Sequence, residues 1–233
     1  AGMFGLVRYA FAALQPARSR HQRRPAQDSR LLARCAHMQA RFALPAVTLS
    51  QSAVLDGPLV IGLAEICIPD AVLNELDTAE VDAVFAHELA HLERRDGVWF
   101  PLVGLLNAAF CWHPVTRWLC AQVRHSAERA CDDRCVQLTG EPRALARALT
   151  RIAAQALALD GALPLPTMAQ PQSSLVARVA HLTSATRPRQ HALTARAQVG
   201  LALGAVAMGM ASVSFTVHVA GARNTLARFA VPR

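Results

Sequence analysis

The chain carries the run His87-Glu88-Leu89-Ala90-His91. Histidines four apart lie on one face of a helix, so both imidazoles can hold a single Zn²⁺. Glu88 then stands beside the metal, placed to take a proton from a water there. Such a pentapeptide arises by accident in roughly one chain in a few hundred of this length. The plain alternative is two surface histidines on an amphipathic helix, so the surroundings must decide. A catalytic zinc usually takes three protein ligands and keeps one position open. The candidate third ligand is Glu128, in Ser126-Ala127-Glu128-Arg129-Ala130-Cys131-Asp132-Asp133. Asp132 lies one turn further on the same face, where it can accept the outer N–H of a ligating histidine and fix its tautomer. The competing reading has Glu128, Asp132 and Asp133 merely balancing Arg124, Arg129 and Arg134 on a solvated face. The upstream pentapeptide favours the zinc site.

Two helices have to present these groups. Asp77-Thr78-Ala79-Glu80 has the form of a capped start, with Asp77 as cap and Glu80 three residues on. Val81, Val84, Phe85 and Leu92 follow at helical spacing, nothing breaks residues 78–96, and Gly97 is the expected stop. The second helix is predicted over about 115–139. Between them, Val98 to Cys111 is apolar but shorter than a membrane span, which fits a core helix or a membrane-embedded one. If that helix ran on through Trp118, Pro114 would have to kink it. The convincing strands lie in residues 46–69: Val47–Ser50, Leu59–Gly62 and Ile66–Ile68, with turn residues Asp56-Gly57-Pro58 between. The rest reads as helix, including 144–159 and 173–183, apart from a Pro-rich linker at 163–171.

In this order, His87-Glu88-x-x-His91, an apolar stretch ending in Trp112-His113-Pro114, then Glu128-x-x-Cys131-Asp132 resembles the BlaR/MecR-type integral membrane zinc metallopeptidases. Gly57–Gly62, Ile66–Pro69 and Leu138-Thr139-Gly140-Glu141-Pro142 extend the resemblance over about residues 30–160. It implies an α+β, mostly helical gluzincin-like domain with a small sheet. It also implies one catalytic Zn²⁺ on His87, His91 and Glu128, Glu88 as general base, and Asp132 behind a histidine. An edge strand at Leu59, Val60, Ile61 and Gly62 could hold a peptide by strand addition, with plain sheet packing as the alternative. His125 departs from the Arg-rich run usual there; it and Arg129 are kept as weak transition-state contacts.

Composition bears on the setting. Hydrophobic residues make up 53% of the 233 and charged ones 17%, rich for a soluble domain. The net charge is +8 and every basic residue is Arg. With aromatics at 5% and no binding motif, direct nucleic-acid binding is not expected; arginines flanking membrane segments account for the charge more simply. Residues 197–220 are long and apolar enough for a C-terminal transmembrane helix, with Gly200-x-x-x-Gly204 for close packing and a buried core helix as the alternative. The expected organisation is the tail of a transmembrane or interfacial helix at 1–16 and a zinc metallopeptidase domain at 17–190. The helix at 197–220 and a truncated extracytoplasmic tail at 221–233 follow. Arg18, Arg20, Arg23 and Arg24 favour a peptidase domain on the cytoplasmic side of a bacterial inner membrane. Six cysteines without a Cys-x-x-Cys pair fit reduced thiols and argue against a structural zinc ribbon.

The function expected is a membrane-bound zinc endopeptidase in signalling, cleaving a repressor or itself in response to an extracytoplasmic signal. Its expected partners are a protein or peptide substrate, such as a transcriptional repressor, and membrane lipid. One alternative is an HtpX-like quality-control metalloprotease. Another, of a different class, is a non-enzymatic membrane receptor with a structural zinc site. An intact Glu88 argues against the last, since a structural site needs no base.

Overall fold

The computed structural model describes residues 23–158, 172–184, 200 and 204. Seven helices and one four-stranded sheet make up these residues, a mostly helical α+β architecture. Strand β1 (Arg23–Pro25) leads to helix α1 (Ser29–Phe42), then β2 (Thr48–Ser52), β3 (Leu59–Ile61) and β4 (Glu65–Pro69). Helices α2 (Asp70–Glu75), α3 (Thr78–Arg94), α4 (Asp96–Ala109), α5 (Pro114–Thr139), α6 (Pro142–Ala158) and α7 (Gln172–Thr183) follow. The sheet order is β1-β2-β4-β3, parallel between β2 and β4 and antiparallel at both margins. Phe85 and Leu89 of α3 meet Ile66 and Ile68 of β4, Leu145 of α6 and Leu182 of α7 in the main core, all nearly devoid of exposed surface. Each such side chain contributes about 1.5–3 kcal/mol by leaving water.

The start of α3 follows its sequence closely. Asp77 accepts from the Glu80 backbone N–H at 2.9 Å, and the Glu80 carboxylate accepts from the Asp77 N–H at 3.0 Å. Glu80 is wholly buried, and Arg147 and Arg151 of α6 each donate to it at 2.9 Å. One capping residue therefore ties α3 to α6 as well as closing its own first turn.

Several expectations need correction. Gly97 does not stop α3; Arg95, in the left-handed region at φ 60°, does, and Gly97 lies inside α4. Glycine is required there for another reason, because a Cβ would run into the carbonyl oxygen of Gly62 just beyond β3. Pro114 kinks nothing: it is the first residue of α5, separated from α4 by Phe110–His113. Residues 46–69 are not the only strands, since Arg23–Pro25 pairs antiparallel with β2. Three residues ending in proline carry no strand pattern of their own; pairing with β2 creates the strand. Two arginines read as flanking a membrane have partners within the fold, Arg23 with Glu65 at 2.9 Å and Arg24 with Asp70 at 3.0 Å. Residues 1–16, the Pro-rich linker and the helix at 197–220 (Gly200 and Gly204 apart) lie outside the described residues. Among the described residues no helix is long and apolar enough to cross a membrane.

Candidate metal centre

His87 and His91 stand one turn apart in the second half of α3, where every residue from Ala83 to Leu92 is buried. Their Nε2 atoms are 3.3 Å apart. Glu128, midway along α5, brings Oε2 to 3.5 Å from Nε2 of His87 and Oε1 to 3.9 Å from Nε2 of His91. Metal–ligand bonds of 2.0–2.2 Å at tetrahedral angles put ligand atoms about 3.3–3.5 Å apart. The two nitrogens and the nearer carboxylate oxygen therefore have the spacing of one zinc ion, with the second oxygen slightly wide. The donor set of two imidazoles and one carboxylate is also one that zinc accepts. These residues fit the metal.

Each histidine has a carboxylate behind it. Asp132 Oδ1 lies 3.1 Å from His87 Nδ1, close but without a well-directed hydrogen bond. Asp96 Oδ2 lies 2.8 Å from His91 Nδ1. With Nε2 turned toward the ligand cluster, Nδ1 of each ring faces a carboxylate, the arrangement in which a proton kept on Nδ1 leaves Nε2 for a metal. Cys131 Sγ packs 3.4 Å from the same His91 nitrogen and 3.8 Å from Asp96. Arg94 Nε donates to Asp96 at 3.1 Å, so the corner between α3 and α4 closes on itself.

A cation from α7 completes the arrangement. Arg178, 6% exposed, donates to Asp132 through Nε at 2.8 Å and Nη2 at 2.6 Å, and its Nη1 lies 3.0 Å from Glu128 Oε2. Its planar fork spans both carboxylates, which a lysine could not do. Burial alone would raise the Glu128 carboxyl, but His87, His91 and Arg178 outweigh it and hold it far below the usual carboxylate range. Burial likewise opposes a charge on His87, yet Asp132 and Glu128 lift its pKa to about 9. A proton must leave this imidazole before it can ligate a metal, so metal affinity falls as pH drops. Glu88 is 8% exposed, and burial raises its carboxyl above the ordinary value while His91 and His87 pull it back. That moves it toward the range where a carboxylate serves as a base near neutral pH.

The structure brings Glu128 and Asp132 of α5 against His87 and His91 of α3, with Glu88 on the same buried stretch of α3 as the two histidines. His125 and Arg129 stand half-buried on α5, outside the ligand cluster. β3 is an edge strand, paired on one side to β4 through Leu59, Val60 and Ile61; Gly62, at φ 62°, ends it in the left-handed region. Sequence reasoning missed two residues. Asp96 could have been found as the acid five residues past His91 and the last residue of the helix as expected from sequence. Arg178 had no local signal, being one arginine among 24 cationic residues and 46 positions from its partner.

A family model described as BlaR1 peptidase M56 matches residues 1–182. The Methicillin resistance mecR1 proteins of Staphylococcus aureus (strain Mu50) and Staphylococcus epidermidis are 26% identical to this chain over 88 residues, 37% of it. The matched segment spans 15% of the length of those relatives.

Proposed function

The chain belongs to the BlaR1 peptidase M56 family, and on that premise we propose that it is a membrane-bound zinc endopeptidase acting in signalling. It cleaves a repressor or itself in response to an extracytoplasmic signal. The observation that carries the chemistry is the convergence of two imidazole nitrogens and one carboxylate, at zinc spacing, around the helix that bears buried Glu88. Zinc held there supplies a Lewis acid, lowering the pKa of water and polarising a carbonyl. His87, His91 and Glu128 hold the ion. Glu88 takes the proton of the attacking water and passes it to the departing amine. Asp132 and Asp96 keep the two rings in the tautomer that leaves Nε2 free for the metal. Arg178 keeps Asp132 ionised, and with His87 and His91 it keeps Glu128 ionised, in a site where burial opposes charge.

The signalling part leans on the similarity to the methicillin resistance proteins, and membrane attachment on residues 197–220. The test is a pair of variants with two readouts. Glu88→Gln is expected to keep one zinc per chain and lose peptide cleavage, by at least about 100-fold on the scale of general-base catalysis. His91→Ala is expected to lose both. Cleavage by Glu88→Gln at the wild-type rate sinks the mechanism; zinc in the wild type with no turnover of any peptide points to a structural site.

A further inference from the structure

His91 has two ring nitrogens, and each faces its own set of donor atoms. Nε2 faces His87 and Glu128, the centre described above. Nδ1 lies 2.8 Å from Asp96 Oδ2 and 3.4 Å from Cys131 Sγ, and those two atoms are 3.8 Å apart. The three side chains come from α3, α4 and α5 and all are buried, Asp96 and Cys131 almost completely. They make a second cluster of metal-ligating type.

Its spacing is close to that of one ion. Bonds of about 2.3 Å to sulfur and 2.0–2.2 Å to nitrogen or oxygen, at tetrahedral angles, put ligand atoms about 3.3–3.6 Å apart. Both distances to Cys131 Sγ fall within a few tenths of an ångström of that range. The contact between Nδ1 and Oδ2 is short by about half an ångström, so Asp96 has to move slightly. It has an oxygen to move with. Asp96 Oδ1 is buried and has no hydrogen-bond partner, an uncommon state for a carboxylate oxygen. Arg94 Nε, 3.1 Å from Oδ2, can keep hold of the other oxygen.

The company of Cys131 separates it from an ordinary core cysteine. Cys135, one turn on and as deeply buried, donates to the Ala83 carbonyl at 3.3 Å. Cys131 instead has an imidazole and a carboxylate beside its sulfur. Sulfur also selects the ion, because thiolate favours soft metals. Burial keeps the Cys131 thiol protonated. An entering ion must displace that proton, which magnesium and calcium, as oxygen-seeking ions, do not.

The two sets compete because they share one neutral imidazole, which has one N–H and one lone pair on its two nitrogens. Zinc on Nε2 leaves the proton on Nδ1, facing Asp96. An ion on Nδ1 puts that proton on Nε2 and withdraws His91 from the zinc set. In such a capture a divalent ion gains bonds to Nδ1, an Asp96 oxygen and Cys131 Sγ. The thiol proton leaves to solvent, and the ring proton changes nitrogen.

We propose that His91 Nδ1, Asp96 and Cys131 form an inhibitory site for a soft divalent cation of the Cd²⁺ type, filled in the zinc-free chain and excluding zinc from the neighbouring centre. The proposal rests on the zinc-binding part of the function above and is independent of peptide cleavage and signalling.

The test titrates Cd²⁺ into the full chain stripped of zinc and follows the ultraviolet sulfur-to-cadmium charge-transfer band. The band is expected to saturate at one equivalent and to disappear in Cys131→Ser. It should persist in His87→Gln, which loses a zinc ligand but no member of the new set. Chain loaded with zinc first should give no band. Cadmium-loaded chain should take up zinc severalfold more weakly in competition with a chromophoric chelator. Zinc binding retained by Cys131→Ser shows that its core is intact. A band undiminished in Cys131→Ser belongs to another cysteine and overturns the proposal, while the zinc centre stands. A band that forms with zinc still bound overturns it too, since the two ions then coexist. If neither zinc nor cadmium binds the wild type, this proposal and the zinc peptidase fall together.

Discussion

His87 and His91 lie one turn apart on α3, yet their outer nitrogens meet carboxylates from very different distances along the chain. Behind His91 stands Asp96, five residues later, brought back by the left-handed turn at Arg95 and clasped by Arg94. Behind His87 stands Asp132 of α5, itself forked by Arg178 of α7. The first support forms as soon as the corner between α3 and α4 closes. The second exists only when three helices have docked. Half of the candidate centre is therefore a local device, and the other half reports whether the tertiary fold is complete.

The comparison can be broken at its long-range end first. Arg178→Gln leaves Glu128 and Asp132 buried without their cation. Breaking such a pair costs about 3–5 kcal/mol, to be read as a lower urea midpoint for the metal-free protein. A loss under about 1 kcal/mol would show that α7 merely rests on the site. Next come the two carboxylates behind the histidines. Asp132→Asn and Asp96→Asn should each weaken zinc binding by about 10–100-fold, measured by competition with a chromophoric chelator. Asp132→Asn belongs at the upper end because it also strands part of Arg178. If Asp96→Asn has the larger effect, the local support is the dominant one and the contrast is inverted.

The smallest expected effect is that of Cys131→Ala. Its thiol touches both His91 and Asp96, but sulfur contacts of this kind are weak. Burial, with Asp96 and Glu128 nearby, keeps it a neutral thiol well above the ordinary range. Zinc affinity should change by no more than about twofold, at a packing cost of about 1 kcal/mol. A larger loss of metal would move Cys131 from packing into the support of His91.

Helix α3 was legible because cap, stripe and ligand spacing are all local to it, and α5 because Glu128 and Asp132 share a face at a separation of four. β1 was not, since three residues with two arginines become a strand only against β2. Gly97 was misread for a related reason. It looks like a helix stop in one dimension, but the approach of Gly62 is what excludes a side chain there.

The sequence by itself determined which side chains can hold a metal, because ligand type and helical periodicity are properties of short segments. Tertiary structure alone decided which support stands behind each imidazole. Asp96 depends on a single left-handed residue, and Arg178 on α7 docking against α5. It also decided that Cys131 of α5 meets His91 and Asp96, since contact is a relation between segments and no one segment contains it.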